Sequence, residues 1–189
     1  MRVDAHEVIV DRDNPSYLPP YTSTIAQLFV TAVNAGIVRA TLRDAKALLL
    51  GRGRNFYYAP SATASEDPIE QAVGRIAADS FAAELVVLGA ADQLVRMAEA
   101  RHAGHPVDDL AHDAAVAAAK AKVIVDELAL RSATALFDVD GASAATRGKN
   151  LDRQRNARTL SSHNPASYKA QALGAYELHG TRLPTLGFF

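Results

Sequence analysis

The 189-residue sequence has no cysteine, so neither disulfides nor thiolate chemistry can contribute to it. That is compatible with a reducing cytosol, and a cytoplasmic protein is expected. It has no excess of charge of either sign. Twenty Lys and Arg against 21 Asp and Glu leave a formal net charge of −1, which gives no electrostatic reason to expect nucleic-acid or membrane partners. Long apolar runs are missing too: stretches such as AAELVVLGAA are broken by charge well short of the ~20 residues of a spanning helix. No basic segment followed by an apolar run opens the sequence, so no signal peptide is expected. There is no GxSxG, no P-loop, no GxGxxG and no closely spaced carboxylate pair.

What the sequence does have is helical periodicity. At 20.1 kDa and 49% hydrophobic, with much of that alanine, it is long enough for one domain with its own core. From Thr22 to about Leu50 no proline occurs, Thr22 or Ser23 can serve as N-cap, and Ile25, Leu28, Phe29, Val33, Ile37, Ala40 and Leu48 keep close to helical spacing. Asp67-Pro68 opens a second helix, with Ile69, Val73, Ile76, Phe81, Leu85, Leu88, Ala91 and Val95 as its stripe to about Ala100. After Gly104 and Pro106, Asp108 or Asp109 is expected to cap a third helix. It runs through Val116, Val123, Ile124, Leu128 and Leu136 and stops at Asp140-Gly141. A shorter fourth follows Asn164-Pro165, through Tyr168, Ala172, Leu173, Tyr176 and Leu178 to His179-Gly180. The expected fold class is all-α, an up-down four-helix bundle whose small side chains let helices approach closely.

One segment does not belong to a bundle. Residues 2–10, RVDAHEVIV, read as a strand with β-branched Val8, Ile9 and Val10, closed by Asn14-Pro15 and Pro19-Pro20. A lone strand leaves its backbone donors and acceptors without a ladder.

Several polar constellations invite chemistry. Arg147, Lys149, Arg153, Arg155 and Arg158 lie within twelve residues, offset by Asp152. They fit an anion site for phosphate or pyrophosphate, but read more simply as a solvated turn with cations near a helix terminus. Arg52 and Arg54, in GRGRNFYY, pose the same choice at the end of the first helix. His102, His105 and His112, with Asp108, Asp109 and Asp113, do not make a tetrahedral ligand set, because the acids suit helix starts; no metal is expected. His163 stands directly before a helix N-terminus, where it could exchange a proton with a bound group or simply bond its own loop.

The closing stretch LDRQRNARTLSSHNPASYKAQALGAYELHG resembles the end of flavin-dependent monooxygenases of the acyl-CoA dehydrogenase superfamily, of the dibenzothiophene monooxygenase type. Their pattern, roughly R-N-A-R-T-H-T-L-H-D-P, is similar to Arg155-Asn156-Ala157-Arg158-Thr159, His163 and Pro165, with Tyr168-Lys169, Gly174, Tyr176 and Gly180 following in order. AGIVRATLRDAKALLLGRGR and DPIEQAVGRIAAD resemble the first two helices of that superfamily's C-terminal domain.

The resemblance covers essentially the whole chain but only the C-terminal half of such an enzyme. It implies that residues 1–20 are the last strand and linker of a middle β-domain absent from this sequence, and that residues 21–189 are the C-terminal helical bundle. It implies a flavin, FMN or FAD, held in a site shared between subunits of a homo-oligomer, as a dimer of dimers. Arg52, or Arg54 if the loop is shifted, would hold a neighbouring subunit's cofactor, with Gln71 contributing from the second helix and Arg158 serving its phosphates or holding the loop. His163 would face the reacting flavin as the catalytic residue, a flavin reductase would supply reducing equivalents, and a small molecule would be oxygenated.

Two departures qualify that picture. Where the dehydrogenases place their glutamate base the sequence has Asn164, and an amide cannot serve as general base at neutral pH. Where the monooxygenases carry two histidines, Leu160 replaces the first. The competing readings are a non-enzymatic helical oligomerisation module and an acyl-CoA dehydrogenase with a displaced base.

Overall fold

A computed structural model of the chain describes residues 20–52, 67–149, 151–185, 187 and 189, with the side chains of residues 52, 67, 68, 142, 143 and 153–155 set aside. Among these residues the regular structure is entirely helical: α1 (Thr24–Arg52), α2 (Asp67–His102), α3 (Asp108–Asp140), α4 (Arg153–Ser162) and α5 (Ala166–His179), with two 3-10 turns at Gly141–Ala145 and Arg147–Lys149. The strand expected over residues 2–10 lies outside the described residues.

The three long helices pack on one another, and α4 and α5 line the side formed by α1 and α3. Four linked clusters fill the bundle from end to end. Ala157 of α4 sits among Val38, Ala83, Val125 and Leu128, whereas Leu173 and Tyr176 of α5 pack with Ala111, Ala115 and Ala119 at the start of α3. The fourth position of the bundle is therefore shared by two helices meeting at a corner. The segment 153–162, expected as a polar turn, is a helix. Arg158 is exposed while Ala157 and Ser161 are buried.

The core is built from small residues. Ala111, Ala114, Ala115, Ala118, Ala119, Ala121, Ala129 and Ala133 form the buried face of α3. Alanine permits close helix approach, and Val38, Ile76, Val125, Leu136 and Val139 fill the space that remains, while several other large apolar side chains turn outward. Ile25, Phe29 and Val33 on α1 and Phe81, Leu85, Leu88 and Val95 on α2, all expected in the core stripes, are 40–70% exposed. On α3, Val116, Leu128 and Leu136 are buried as expected, but Ile124 is 40% exposed while Lys122, two residues before it, is 1% exposed.

Helix ends differ in detail from their sequence signals. Residue Val107 caps α3 without a side-chain bond, and Asp108 and Asp109 occupy its first turn, where their charge suits the helix dipole. At the start of α1, the Ser23 carbonyl accepts from Gln27 N at 3.0 Å, while its hydroxyl donates to the Phe189 carbonyl oxygen instead of capping the helix. Gly180 ends α5 in the left-handed conformation, φ 68°, donating to Tyr176 O at 2.9 Å.

Helix α1 alone among the described helices is long and apolar enough to cross a membrane by length and composition. Its buried face, however, carries Thr31, Asn34 and Thr41, each 1% exposed or less, with Thr31 and Thr41 bonded to carbonyls of α1 itself and Asn34 bonded across to Asp126 of α3. That pattern suits a core helix.

Candidate functional site

The corner between α4 and α5 begins as a consequence of Pro165, whose ring cannot continue the α4 ladder. The His163 amide closes the last turn on Leu160 O at 3.1 Å, and Asn164 takes the left-handed conformation, φ 57°. Asparagine is one of the few residues with a side chain that tolerates this region. Pro165 then serves as N-cap of α5.

Four consecutive positions divide between inside and outside. Ser161 and Asn164 are 8% exposed, while Ser162 and His163 face solvent. Asn164 Nδ2 donates to Gln27 Oε1 of α1 at 2.5 Å. Ser161 Oγ donates to Ala157 O at 2.8 Å and accepts from Asn34 Nδ2 of α1 at 3.2 Å. Asn34 Nδ2 also donates to Asp126 Oδ1 at 2.9 Å, and Lys122 Nζ donates to Asp126 Oδ2 at 2.7 Å. The carboxylate beside it fixes which way the Asn34 amide points. Ionised groups this deep persist when they are paired and hydrogen-bonded.

Beside this network, Lys169 of α5 is 2% exposed, with its Nζ 4.0 Å from the centroid of the Phe189 ring. Desolvation, with Lys122 nearby, pushes its ammonium down to about 8. The Tyr168 ring lies 5.4 Å from the same phenyl group.

The described residues after α5 are clasped to the bundle at Leu183 and Thr185. Tyr21, held at φ 63°, donates its hydroxyl to Leu183 O at 2.8 Å and its amide to Thr185 O at 3.1 Å. His112, 3% exposed, accepts from Leu183 N on Nε2 at 3.2 Å and lies edge-on to both Tyr21 and Tyr176. Burial, then the charge of Arg182, lowers its pKa below the usual imidazole value, against the pull of Asp113 and Asp109. The third histidine of the sequence cluster is thus a tail clasp, while His102 and His105 stand exposed at the α2–α3 turn.

The residues singled out in the sequence fall into two groups. Arg158 and His163 are exposed on α4 and its corner, level with Gln27 and Asn34 of α1. Gln71 is exposed near the start of α2, at the opposite end, where Leu48 and Leu49 of α1 pack around Ile69. Arg52 closes α1 at that end with its side chain outside the described residues, and Arg54 lies wholly outside them. Eighteen residues of α1 separate Asn34 from Arg52, about 27 Å at the rise of an α-helix. One chain therefore does not bring the two groups together.

The same distal end holds a cleft of about 630 Å³ walled by Phe137, Ala144 and Leu151, with Arg147 and Asp152 at its rim. Lys149 is committed to the buried Asp140 carboxylate at 2.6 Å. Among the described side chains of the basic cluster, Arg147 lines this cleft.

Residues 28–168 match the family model described as acyl-CoA dehydrogenase, C-terminal domain. The chain belongs to that family. It is 28% identical, over 194 aligned residues, to a probable FMNH2-dependent monooxygenase, SfnC, of Pseudomonas putida, covering 100% of this chain and 48% of the relative. Among solved structures it is similar to methanesulfinate monooxygenase MsuC from Pseudomonas fluorescens, with TM-score 0.79 and 25% identity over 87% of this chain and 43% of that one. It is also similar to TdsC from Paenibacillus sp. A11-2 in complex with FMN and indole, with TM-score 0.79 and 27% identity over 89% and 42% of the two chains. The chain spans about half the length of the relatives it matches.

Sequence reasoning missed the sockets beneath the corner. A signal was present: Gln27, Asn34 and Thr41 recur every seven residues along α1, and Lys122 and Asp126 stand four apart just after an alanine-rich stretch.

Proposed function

We propose that this chain is the C-terminal part of a flavin-dependent monooxygenase that uses reduced FMN and contributes one wall of a site shared between subunits. The observation that carries the reading is the corner itself. His163 and Arg158 are both exposed, while Asn164 is turned inward onto Gln27. The position where a dehydrogenase would need its base is thus occupied by a buried, hydrogen-bonded amide, which disfavours α-proton abstraction. FMN is preferred to FAD because the relatives' names specify it.

The residues fit a flavin as part of a cage. The cleft at Arg147, with Gln71 and Arg52 at the same end, suits the anionic part of a cofactor, and His163 suits its reacting part. Their separation along α1 accords with these two parts belonging to cofactors of different subunits. The flavin, when bound, would supply the oxygen chemistry. This chain's own contribution would be an imidazole able to hold or pass a proton, and cations that orient phosphate oxygens. A small-molecule substrate, a flavin reductase as electron source and a cytoplasmic location complete the proposal.

Assembly is supported by the outward apolar face. Ile25 and Phe29 of α1 and Phe81, Leu85 and Leu88 of α2 are each more than half exposed, forming the kind of surface that partners cover. A homo-oligomer, as a dimer of dimers, is the arrangement we favour.

The test is titration with FMN of the longer enzyme in which this chain forms the C-terminal part, reading quenching of flavin fluorescence, for wild type and Arg52→Ala. Loss of affinity of tenfold or more in the variant is expected. Equal affinity would remove Arg52 from the site, and no flavin binding by any form would overturn the reading.

A further inference from the structure

We propose that Ser161 and Asn164 are positioning residues for His163, acting through Asn34 and Gln27 of α1. The inference deepens the flavin reading of the corner and rests on that reading for its catalytic consequence, but not for its geometry.

The geometry has three parts. First, the two residues bracket His163 at positions −2 and +1, and both side chains point into the bundle. Second, their partners Asn34 and Gln27 lie seven residues apart on α1, two turns along one face, so both anchors belong to one rigid rod. Third, Asn34 is itself locked by Asp126, whose second oxygen is taken by Lys122. A corner fixed at two points on one helix has its direction set, and the outward residue between the anchors inherits it.

Asn164 does two jobs that separate chemically. Its backbone supplies the left-handed turn, φ 57°, and its amide supplies the bond to Gln27. Glycine would keep the first and lose the second. On the partner side, Gln27→Met keeps length while removing the acceptor, and Gln27→Glu keeps an acceptor oxygen.

The experiment measures ¹⁵N relaxation of the His163 amide in the full chain, alongside stopped-flow oxidation of protein-bound reduced FMN. In wild type the amide order parameter is expected near ~0.85, the value of rigid backbone, and Gln27→Met should lower it below ~0.6. Gln27→Glu should restore the wild-type value, and Asn164→Gly should behave as Gln27→Met. The oxidation rate should fall about tenfold or more in Gln27→Met with FMN affinity unchanged, since small misplacements of a reacting group are costly.

An order parameter unchanged in both Gln27→Met and Asn164→Gly would overturn the proposal. So would equal loosening in Gln27→Met and Gln27→Glu, because the bond would then not be the cause. His163→Gln serves as the reference. If it oxidises bound flavin at the wild-type rate, the functional reading of His163 fails, while the relaxation data still decide the positioning.

Discussion

Asn34 Nδ2 on α1 lies 2.9 Å from Asp126 Oδ1 on α3, and Lys122 Nζ closes on the other carboxylate oxygen at 2.7 Å. All three residues are at most 3% exposed. The carboxylate therefore depends on these two donors in place of water. Removing the cation alone leaves a buried negative charge, which costs about 3–5 kcal/mol. Lys122→Met should lower the urea midpoint accordingly. The double variant Lys122→Met/Asp126→Leu should recover most of the loss, because no charge is then stranded. Equal destabilisation by single and double variants would show that packing, not pairing, holds the site.

The tail clasp has a pH signature. Leu183 N donates to His112 Nε2, which must be unprotonated to accept. Burial and Arg182 depress the folded pKa below 6.5, so between that depressed value and 6.5 the unfolded chain binds the extra proton. His112 thus contributes stability that is complete above pH 6.5 and is lost as pH falls toward its folded pKa. Melting curves of wild type and His112→Gln from pH 4.5 to 7.5 should converge toward acid. A constant difference across that range would exclude the imidazole as the titrating group.

Lys169 predicts the opposite end of the pH scale. Its folded pKa of about 8 against an ordinary 10.5 means that the unfolded state holds more protons between those values. Stability relative to Lys169→Met should rise with pH through that window and level off above it. Thermal midpoints of both proteins at pH 7, 9 and 10.5 measure this, and parallel curves would refute it.

The outward face predicts association. Phe29 is 70% exposed, Phe81 68% and Leu88 63%. Phe81→Glu/Leu88→Glu removes no core side chain, so the bundle should keep its helical signal. Sedimentation velocity should show a smaller species than wild type at equal concentration. Identical sedimentation would place the interface elsewhere.

The long helices were legible because their punctuation is local. Asp67-Pro68, Gly104 with Pro106, Asp140-Gly141 and Gly180 each stop or start a chain by backbone chemistry that needs no partner. Which face turns inward was less legible. The rule that larger apolar residues are buried puts Ile124 inside and Lys122 outside, and the structure does the reverse. Val125 and Leu128 fill the interface beside the alanines, and Asp126 gives Lys122 a reason to be inside. The helix over residues 153–162 was hidden because its apolar stripe is reduced to a few residues around Ala157 and Leu160. His163 and Arg158 could be found by pattern, but what fixes their corner depends on contacts more than 120 residues away in sequence.

The meeting of the two ends at Tyr21 and Leu183 also bears on the order of folding. These residues are 162 positions apart, and Ser23 and Phe189 are 166 apart. Contacts of such separation carry a large loop-closure entropy until the intervening helices have assembled. The clasp should therefore form after the folding transition state, as a low-φ element. Weakening it would leave the folding rate nearly unchanged and quicken unfolding. The tail would then govern how long the native bundle persists, rather than how fast it is reached.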